Sequence, residues 1–93
     1  MDVSYDPTKN ATNIAERDLP FDRVREFDFQ SALVHEDVRK PYPERRFVAI
    51  GWLEDRLHVL CFSTVPSGIR VISFRKANSR EQRAYERTQH TSH

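Results

Sequence analysis

An almost continuous apolar run, Leu57 to Phe62, places the tightest constraint on the fold of this 93-residue chain. A strand with one face in water alternates apolar and polar residues, whereas a strand covered on both faces is apolar throughout. The run therefore predicts a buried strand over residues 57–65, with a layer of structure against each face. Strands are also predicted over residues 45–52 and, after the turn at residues 66–68, over residues 69–76, which together form an antiparallel meander.

Helical patterns flank these strands. Asp6-Pro7 is a typical helix start, and the spacing of Ala11, Ile14 and Ala15 predicts a helix from Pro7 to about Arg17 with a narrow apolar face. A second short helix follows, with Asp18 as its N-cap and with Phe21, Val24 and Phe27 or Phe29 on its buried side. A capping-box spacing at Asn78 or Ser79 starts a last, very basic helix.

The order of these elements predicts one α+β domain over residues 1–89, with a frayed tail at residues 90–93. It contains two N-terminal helices, an antiparallel sheet of about four strands and a C-terminal basic helix. The fourth strand is expected at residues 32–35, and Val3 to Tyr5 is a candidate for a further short strand. The loop that follows, residues 36–44, is stiffened by Pro41 and Pro43 and cannot be helical.

Charge is divided unevenly along the chain. Residues 1–44 hold six Lys/Arg and ten Asp/Glu, a net charge of −4, whereas residues 45–93 hold nine and four, a net charge of +5. A cationic surface on the second half, for nucleic acid or an acidic partner, is therefore expected. No apolar run approaches the ~20 residues of a membrane helix, and no signal-peptide pattern opens the chain, so we expect no membrane partner and a cytoplasmic location.

Motifs for metal or cofactor chemistry are absent from the sequence. The single cysteine, Cys61, lies in an apolar run and is expected to be a small core residue. The four histidines are scattered, and the tail pair His90/His93 is at most an adventitious metal ligand. With two glycines in the whole chain, there is no glycine-rich phosphate loop. We therefore expect no cofactor and no metal.

The chemistry that remains is cationic and gathers where the strand over residues 69–76 meets the last helix. Cleavage of RNA without a metal requires cations for the dianionic phosphorane and groups that transfer protons. Arginine binds phosphate oxygens in pairs through its planar fork. The predicted catalytic residues are Arg46, Arg75, Arg80, Arg83 and, as a candidate base, Glu81. The predicted RNA-binding residues are Lys9, Arg70, Lys76, Arg80 and Tyr85.

Two alternatives stay open for this set. Glu81 and Tyr85 are four residues apart, so they share one face of the last helix. If that face packs against the strands, Tyr85 is a structural residue rather than an RNA contact. His58 and Tyr85 are further candidates for proton transfer. Regular alternation places Arg70 and Lys76 on one face of their strand and Arg75 on the other, so Arg75 and Lys76 are expected to point in opposite directions.

Together these segments resemble the BrnT family of bacterial type II toxins. The matching pieces are Tyr5-Asp6-Pro7-x-Lys9 with Asn13, then Phe21, Arg46-Phe47-x-Ala49-Ile50-Gly51, and Arg70-Val71-Ile72-Ser73-x-Arg75-x-Ala77 followed by Arg80-Glu81-x-x-x-Tyr85-Glu86. The resemblance implies a RelE-like ribonuclease fold with a curved antiparallel sheet. It also implies a growth-arresting endoribonuclease that inhibits translation. A BrnA-like antitoxin would neutralise it in a heterotetramer or similar complex, which contacts operator DNA through the antitoxin.

One departure from the family pattern lies at Glu16-Arg17-Asp18, where the family usually has Lys-His-Gly. A histidine that could transfer protons is replaced by an arginine, which stays protonated near neutral pH. This favours an alternative function: a catalytically weakened relative that acts mainly as an antitoxin-binding partner in a DNA-binding repressor complex. A plain RNA-binding module is a third interpretation, although the aromatic residues have core spacing and offer no obvious stacking platform.

Overall fold

The computed structural model describes residues 1–90, apart from the side chain of His90, so most of the predicted frayed tail lies outside the described residues. The elements are β1 (Asp2–Tyr5), α1 (Pro7–Arg17), a 3₁₀ helix (Phe21–Glu26), β2 (Leu33–Asp37), β3 (Arg46–Leu53), β4 (Arg56–Val65), β5 (Gly68–Lys76) and α2 (Ser79–His90). The predicted α+β class is confirmed. Two details differ, because the second N-terminal helix is a 3₁₀ helix and the sheet has five strands.

The five strands form one mixed sheet in the order β1-β5-β4-β3-β2. Strands β2 to β5 pair antiparallel, as expected of the meander, but β1 runs parallel to β5. Gly68 permits this pairing, because a Cβ at Gly68 would overlap the carbonyl oxygen of Asp2 and lie 2.7 Å from its nitrogen. The close approach of β1 therefore requires a residue without a side chain.

Strand β4 lies at the centre of the sheet and is covered on both faces, which confirms the reading of its apolar run. Leu60 and Phe62 belong to a core with residues of the 3₁₀ helix, and we call this side of the sheet the 3₁₀ face. Leu57 and Val59 pack with Tyr85 of α2, and we call this side the α2 face. The predicted burial of Phe21, Val24 and Phe27 on the 3₁₀ face is also confirmed.

Helix α1 has the predicted bounds, but it is attached by polar side chains rather than by its apolar residues. Its narrow apolar face is exposed, Ile14 included. Asn13 donates to the carbonyl oxygens of Leu19 and Phe74 at 2.9 Å, and Asn10 accepts from the Phe21 N–H at 2.8 Å. The predicted apolar face of α1 thus lies in solvent, and these amides supply the attachment that its small apolar residues do not.

The ends of α1 are set by two aspartates. Asp6 accepts a hydrogen bond from the Thr8 N–H and caps the start, as predicted. Asp18 ends the helix in the left-handed region, with φ 54 and ψ 39, and its N–H donates to the Ile14 carbonyl oxygen. Asp18 is thus a C-cap of α1, and its predicted role as N-cap of the following helix is wrong. None of the helices within the described residues has the length and apolar character needed to cross a membrane.

Candidate functional site

A β-bulge in β5 decides which cations share a face of the sheet. Ser73 lies opposite Cys61 and Val71 lies opposite Phe62, so Ile72 between them has no partner on β4. An extra residue of this kind shifts the alternation of side chains along the bulged strand. Side chains on the two sides of Ile72 therefore do not follow one regular alternation.

The bulge brings Arg70 to the α2 face together with Arg75. Arg70 lies opposite Ser63 and Arg75 lies opposite Val59, and both partners belong to the α2 face of β4. Regular alternation had grouped Arg70 with Lys76, and that prediction is wrong because of the extra residue. Lys76 lies opposite His58 on the 3₁₀ face, so the expectation that Arg75 and Lys76 point in opposite directions is confirmed.

Arg46 joins this group from β3. Ser63 on β4 lies between Arg46 on β3 and Arg70 on β5, so two arginines flank one serine across three strands. Ser63 is only 1% exposed. Within residues 1–90, neither Ser63 Oγ nor Arg46 Nε has a hydrogen-bond partner although both atoms are buried. Buried polar atoms are nearly always paired, so this row retains unused hydrogen-bonding capacity. We call Arg46, Ser63, Arg70 and Arg75 the basic sheet face.

The loop after β2 supports Arg46. The sequence had predicted only that this loop is stiff. The Arg46 guanidinium lies 4.2 Å from the centre of the Tyr42 ring, within the range of a cation–π contact. The Tyr42 hydroxyl donates to Asp37 at 3.3 Å, and Arg39 donates to both oxygens of Asp37 at 2.8 and 2.9 Å. The Arg39 hydrogen bonds hold the pKa of Asp37 far below its usual range, so this carboxylate stays charged. The one sequence signal for this contact is Tyr42 itself, an aromatic residue held between two prolines in a stiff loop.

Arg75 is held by Glu81 at the start of α2. The two Arg75 Nη atoms donate to the two Glu81 oxygens at 2.8 and 2.7 Å. Glu81 also accepts from the Asn78 N–H at 2.9 Å, while the Asn78 side chain accepts from the Glu81 N–H, which completes the predicted capping box. The hydrogen bonds from Arg75 lower the pKa of Glu81, so its carboxylate has a reduced affinity for protons.

The other predicted site residues lie apart from this group. Arg80 and Arg83 are exposed on α2, and Lys9 is exposed on α1. Tyr85 is only 4% exposed, and its hydroxyl donates to the Ser31 carbonyl oxygen at 2.9 Å. Its ring also meets Trp52 edge to face at 6.1 Å. Of the two alternatives for Tyr85, the structural role is the one that these contacts support, because its ring and its hydroxyl are both used in the core.

A groove of about 840 Å³ opens on the opposite, 3₁₀ side of the sheet. It is lined by the end of α1, the turn between β3 and β4, and the ends of the paired strands β4 and β5. His58 lies in it with 4% of its surface exposed, and Lys76 lines it from β5. Burial, followed by the charges of Arg56, Lys76 and Arg23, lowers the pKa of His58 below its ordinary 6.5. Residues 16–18, where the sequence departs from the family pattern, line this same groove.

Fold and surface together define a small α+β domain whose sheet presents clustered arginines suited to phosphate groups. The family model for the ribonuclease toxin BrnT of type II toxin–antitoxin systems matches residues 5–81, which is most of the chain. The chain therefore belongs to the BrnT family, and the resemblance seen in the sequence is confirmed. A comparison with curated proteins gave no match.

Family membership supplies the coarse function. The chain belongs to a family of toxins of type II toxin–antitoxin systems with ribonuclease activity, and such a system includes an antitoxin partner. The matched residues include every arginine of the basic sheet face, as well as Glu81 and His58. Within residues 1–90, no group of three His, Cys, Asp or Glu side chains could hold a metal ion.

Proposed function

We propose that this chain is a growth-arresting, cytoplasmic endoribonuclease with a RelE-like fold, which cleaves RNA without a metal ion and thereby inhibits translation. The observation that carries the proposal is the bulge at Ile72, which gives Arg70 and Arg75 the same face as Arg46. Three arginines on one sheet face can neutralise successive phosphates of an RNA strand.

The proposal gives the arginines two kinds of task. Arg46 and Arg70 bind phosphate oxygens beside the buried Ser63, and the Tyr42 ring limits the orientations open to Arg46. Arg75 is oriented by its two-point contact with Glu81. Arg80 and Arg83 extend the cationic surface along α2, where the N-terminal end of the helix also favours anions. Lys9 and Lys76 lie elsewhere and add to long-range attraction of RNA.

Glu81, the candidate base, is better suited to positioning than to proton transfer. A general base works best with a pKa near the working pH, and the contacts of Glu81 lower its pKa from an ordinary 4.5. Its two oxygens already accept from Arg75 and from the Asn78 N–H. We therefore assign Glu81 the role of holding Arg75, and another group must accept the proton.

The partner that we propose is a BrnA-like antitoxin, in a heterotetramer or a similar complex that contacts operator DNA through the antitoxin. An acidic antitoxin segment over the basic sheet face would exclude RNA and explain neutralisation. The net charge of +5 on residues 45–93 supports such a contact. A complex that still cleaves RNA at the rate of the free toxin would contradict inhibition by occlusion.

The test is induced expression of the chain alone in a bacterial host, with growth, total RNA integrity and soluble protein followed together. We expect arrested growth and degraded RNA, and purified protein should cleave RNA in the presence of a chelator. Arg75→Ala should abolish toxicity while the domain stays folded. Arg25→Ala is the matched control, because it removes an exposed arginine from the 3₁₀ helix on the other side of the sheet.

A second candidate function is a weakened enzyme that serves mainly to bind the antitoxin. The observation that favours it is the replacement of the family's Lys-His by Glu16-Arg17 at the groove. Under this alternative the soluble chain leaves growth normal and RNA intact, yet still forms a stable complex with its antitoxin. Cleavage of RNA by the purified wild-type chain would exclude it.

A further inference from the structure

The groove on the 3₁₀ side of the sheet contains a histidine whose tautomer is set by a backbone carbonyl oxygen. Nδ1 of His58 lies 2.9 Å from the Arg56 carbonyl oxygen, which can only accept a hydrogen bond. Nδ1 of the neutral ring must therefore carry the proton, and Nε2 is left as the basic nitrogen. The ring also packs against Phe74, with 5.4 Å between the ring centres, so its orientation is restricted.

Lys76 stands directly across the strand pair from His58. Residues opposite each other in an antiparallel pair share a face, with about 5 Å between their Cβ atoms. The lysine is exposed whereas the histidine is buried, so a charged donor stands beside a neutral acceptor at the end of β4 and β5. Such a pair can accept one proton from a substrate and donate another proton to it, as general acid–base catalysis requires.

The charges around His58 come from every element that forms the groove. Helix α1 contributes Glu16, Arg17 and Asp18, and the 3₁₀ helix contributes Arg23. The β3–β4 turn and the start of β4 contribute Glu54, Asp55 and Arg56, and β5 contributes Lys76. Arg23 is bound to Glu54 at 3.0 Å, and Arg56 donates to the Ala77 carbonyl oxygen at 3.0 Å. Cations and carboxylates are balanced here, unlike on the basic sheet face.

We propose that this groove is the proton-transfer centre for RNA cleavage, with His58 as the proton acceptor and Lys76 as the proton donor. The inference rests on the ribonuclease function proposed above and supplies the base that Glu81 does not provide. The basic sheet face then serves to hold the RNA. The two sites meet at the end of β5, where Arg75 and Lys76 are neighbours on opposite faces.

The reaction balances with these two side chains. The proton of the 2′-hydroxyl passes to Nε2 of His58 while the 2′-oxygen forms a bond to the adjacent phosphorus. The bond between phosphorus and the 5′-oxygen breaks, and its electron pair leaves with that oxygen, which takes a proton from the Lys76 ammonium. The products are a 2′,3′-cyclic phosphate end and a 5′-hydroxyl end. Exchange with water returns a proton to Lys76 and removes one from His58.

The experiment measures cleavage of a short RNA by the purified full chain across a pH series, for the wild type and for His58→Gln. A general base typically contributes about 10²–10⁴-fold, so we expect a loss of kcat of that size. The wild-type rate should also fall in acid with an apparent pKa below 6.5, and His58→Gln should lack this acid limb. His35→Gln is the matched control, because it removes an exposed histidine from β2.

Two further measurements keep the proposal open to refutation. Lys76→Met changes an exposed side chain and should lower kcat without loss of fold, and the cyclic phosphate end should be found among the wild-type products. Wild-type cleavage with a His58→Gln rate within about threefold would overturn this proposal and leave the ribonuclease function standing. A wild-type chain that cleaves no RNA at any pH would overturn both. If His58→Gln fails to fold, the wild-type pH profile and Lys76→Met test the proposal instead: a wild-type rate without an acid limb, or an unchanged kcat in Lys76→Met, would overturn it.

Discussion

Replacing Glu81 by glutamine separates the two roles that its position allows. Glutamine has the same length and can serve in a capping box, so the contact with the Asn78 N–H is retained. It is neutral, so the charge-assisted pair with Arg75 is lost. The variant therefore removes the ion pair and the candidate base together, while the start of α2 is preserved. The expected effects on stability and on activity are different in size.

The loss of stability should be modest. Hydrogen bonds to charged groups contribute about 1.5–3 kcal/mol when shielded from water. The side chains of Arg75 and Glu81 are 36% and 23% exposed, so solvent screening reduces the contribution of this pair to about 1 kcal/mol. For a domain of this size, that corresponds to a fall in Tm of about 4–8 °C. Thermal denaturation followed by circular dichroism measures it.

The pH dependence has a definite sign. The pKa of Glu81 lies below its ordinary 4.5 because Arg75 stabilises the charged form. The contribution of the pair is therefore complete above pH 4.5 and is lost as the pH falls through the lower, folded-state pKa. The difference in Tm between the wild type and Glu81→Gln should shrink in acid. A difference that grows in acid would contradict the assignment of the ion pair.

Activity distinguishes positioning from proton transfer. If Glu81 only holds Arg75, RNA cleavage by Glu81→Gln should fall by no more than about tenfold, since a 1.4 kcal/mol loss corresponds to one factor of ten. A base would account for about 10²–10⁴-fold. A loss of more than a hundredfold in kcat, with Tm lowered only as expected, would refute the positioning role and return Glu81 to the reaction itself.

Three further outcomes follow from the backbone and from burial. Asp18→Gly should raise the free energy of unfolding by about 0.5–1 kcal/mol, because φ at residue 18 is 54° and glycine adopts this region without strain. As a control in the same thermal assay, Ala15→Gly, inside the same helix, should lower the free energy of unfolding by about 1 kcal/mol. Gly68→Ala should lower the free energy of unfolding by about 1–3 kcal/mol, because the new Cβ would overlap the backbone of β1. The control Ser67→Ala should change it by less than about 0.5 kcal/mol. Equal losses of stability in the two variants would argue against the close approach of β1. Because folding lowers the pKa of His58, the unfolded chain binds a proton at a higher pH than the folded chain does. The free energy of unfolding should therefore fall as the pH drops below 6.5. A series of chemical denaturations at different pH values should show a weaker fall for His58→Gln.

Much of the fold could be predicted because its signals are local. The apolar run of β4, the Asp6-Pro7 start of α1 and the capping box of α2 each depend on neighbouring residues, and each prediction is confirmed. The parallel pairing of β1 with β5 could not be predicted in this way. It joins residues more than sixty positions apart and depends on space beside Gly68 that no local pattern reveals.

The candidate site was predicted by residue type but not by arrangement. The arginines in the second half of the chain predicted a cationic surface through their charge alone. The face on which Arg70 lies depends on a bulge at Ile72, and a bulge has no reliable sequence signal of its own here. The Tyr42–Arg46 contact and the groove around His58 bring together segments that are distant in sequence, so they appear only when the chain is folded.

Under the proposals made above, strand β5 separates the residues that hold RNA from those that cleave it, and steady-state kinetics can detect this separation. Arg75 and Lys76 are adjacent, but one lies opposite Val59 on the α2 face and the other opposite His58 on the 3₁₀ face. A residue that only holds the substrate changes KM, whereas one that acts on the reacting atoms changes kcat. Arg75→Ala should therefore raise KM chiefly and His58→Gln should lower kcat chiefly, measured by steady-state cleavage of one RNA. If Arg75→Ala lowered kcat as much as His58→Gln does, with KM unchanged, the arginine would touch the reacting phosphate and the two sites would have to be one.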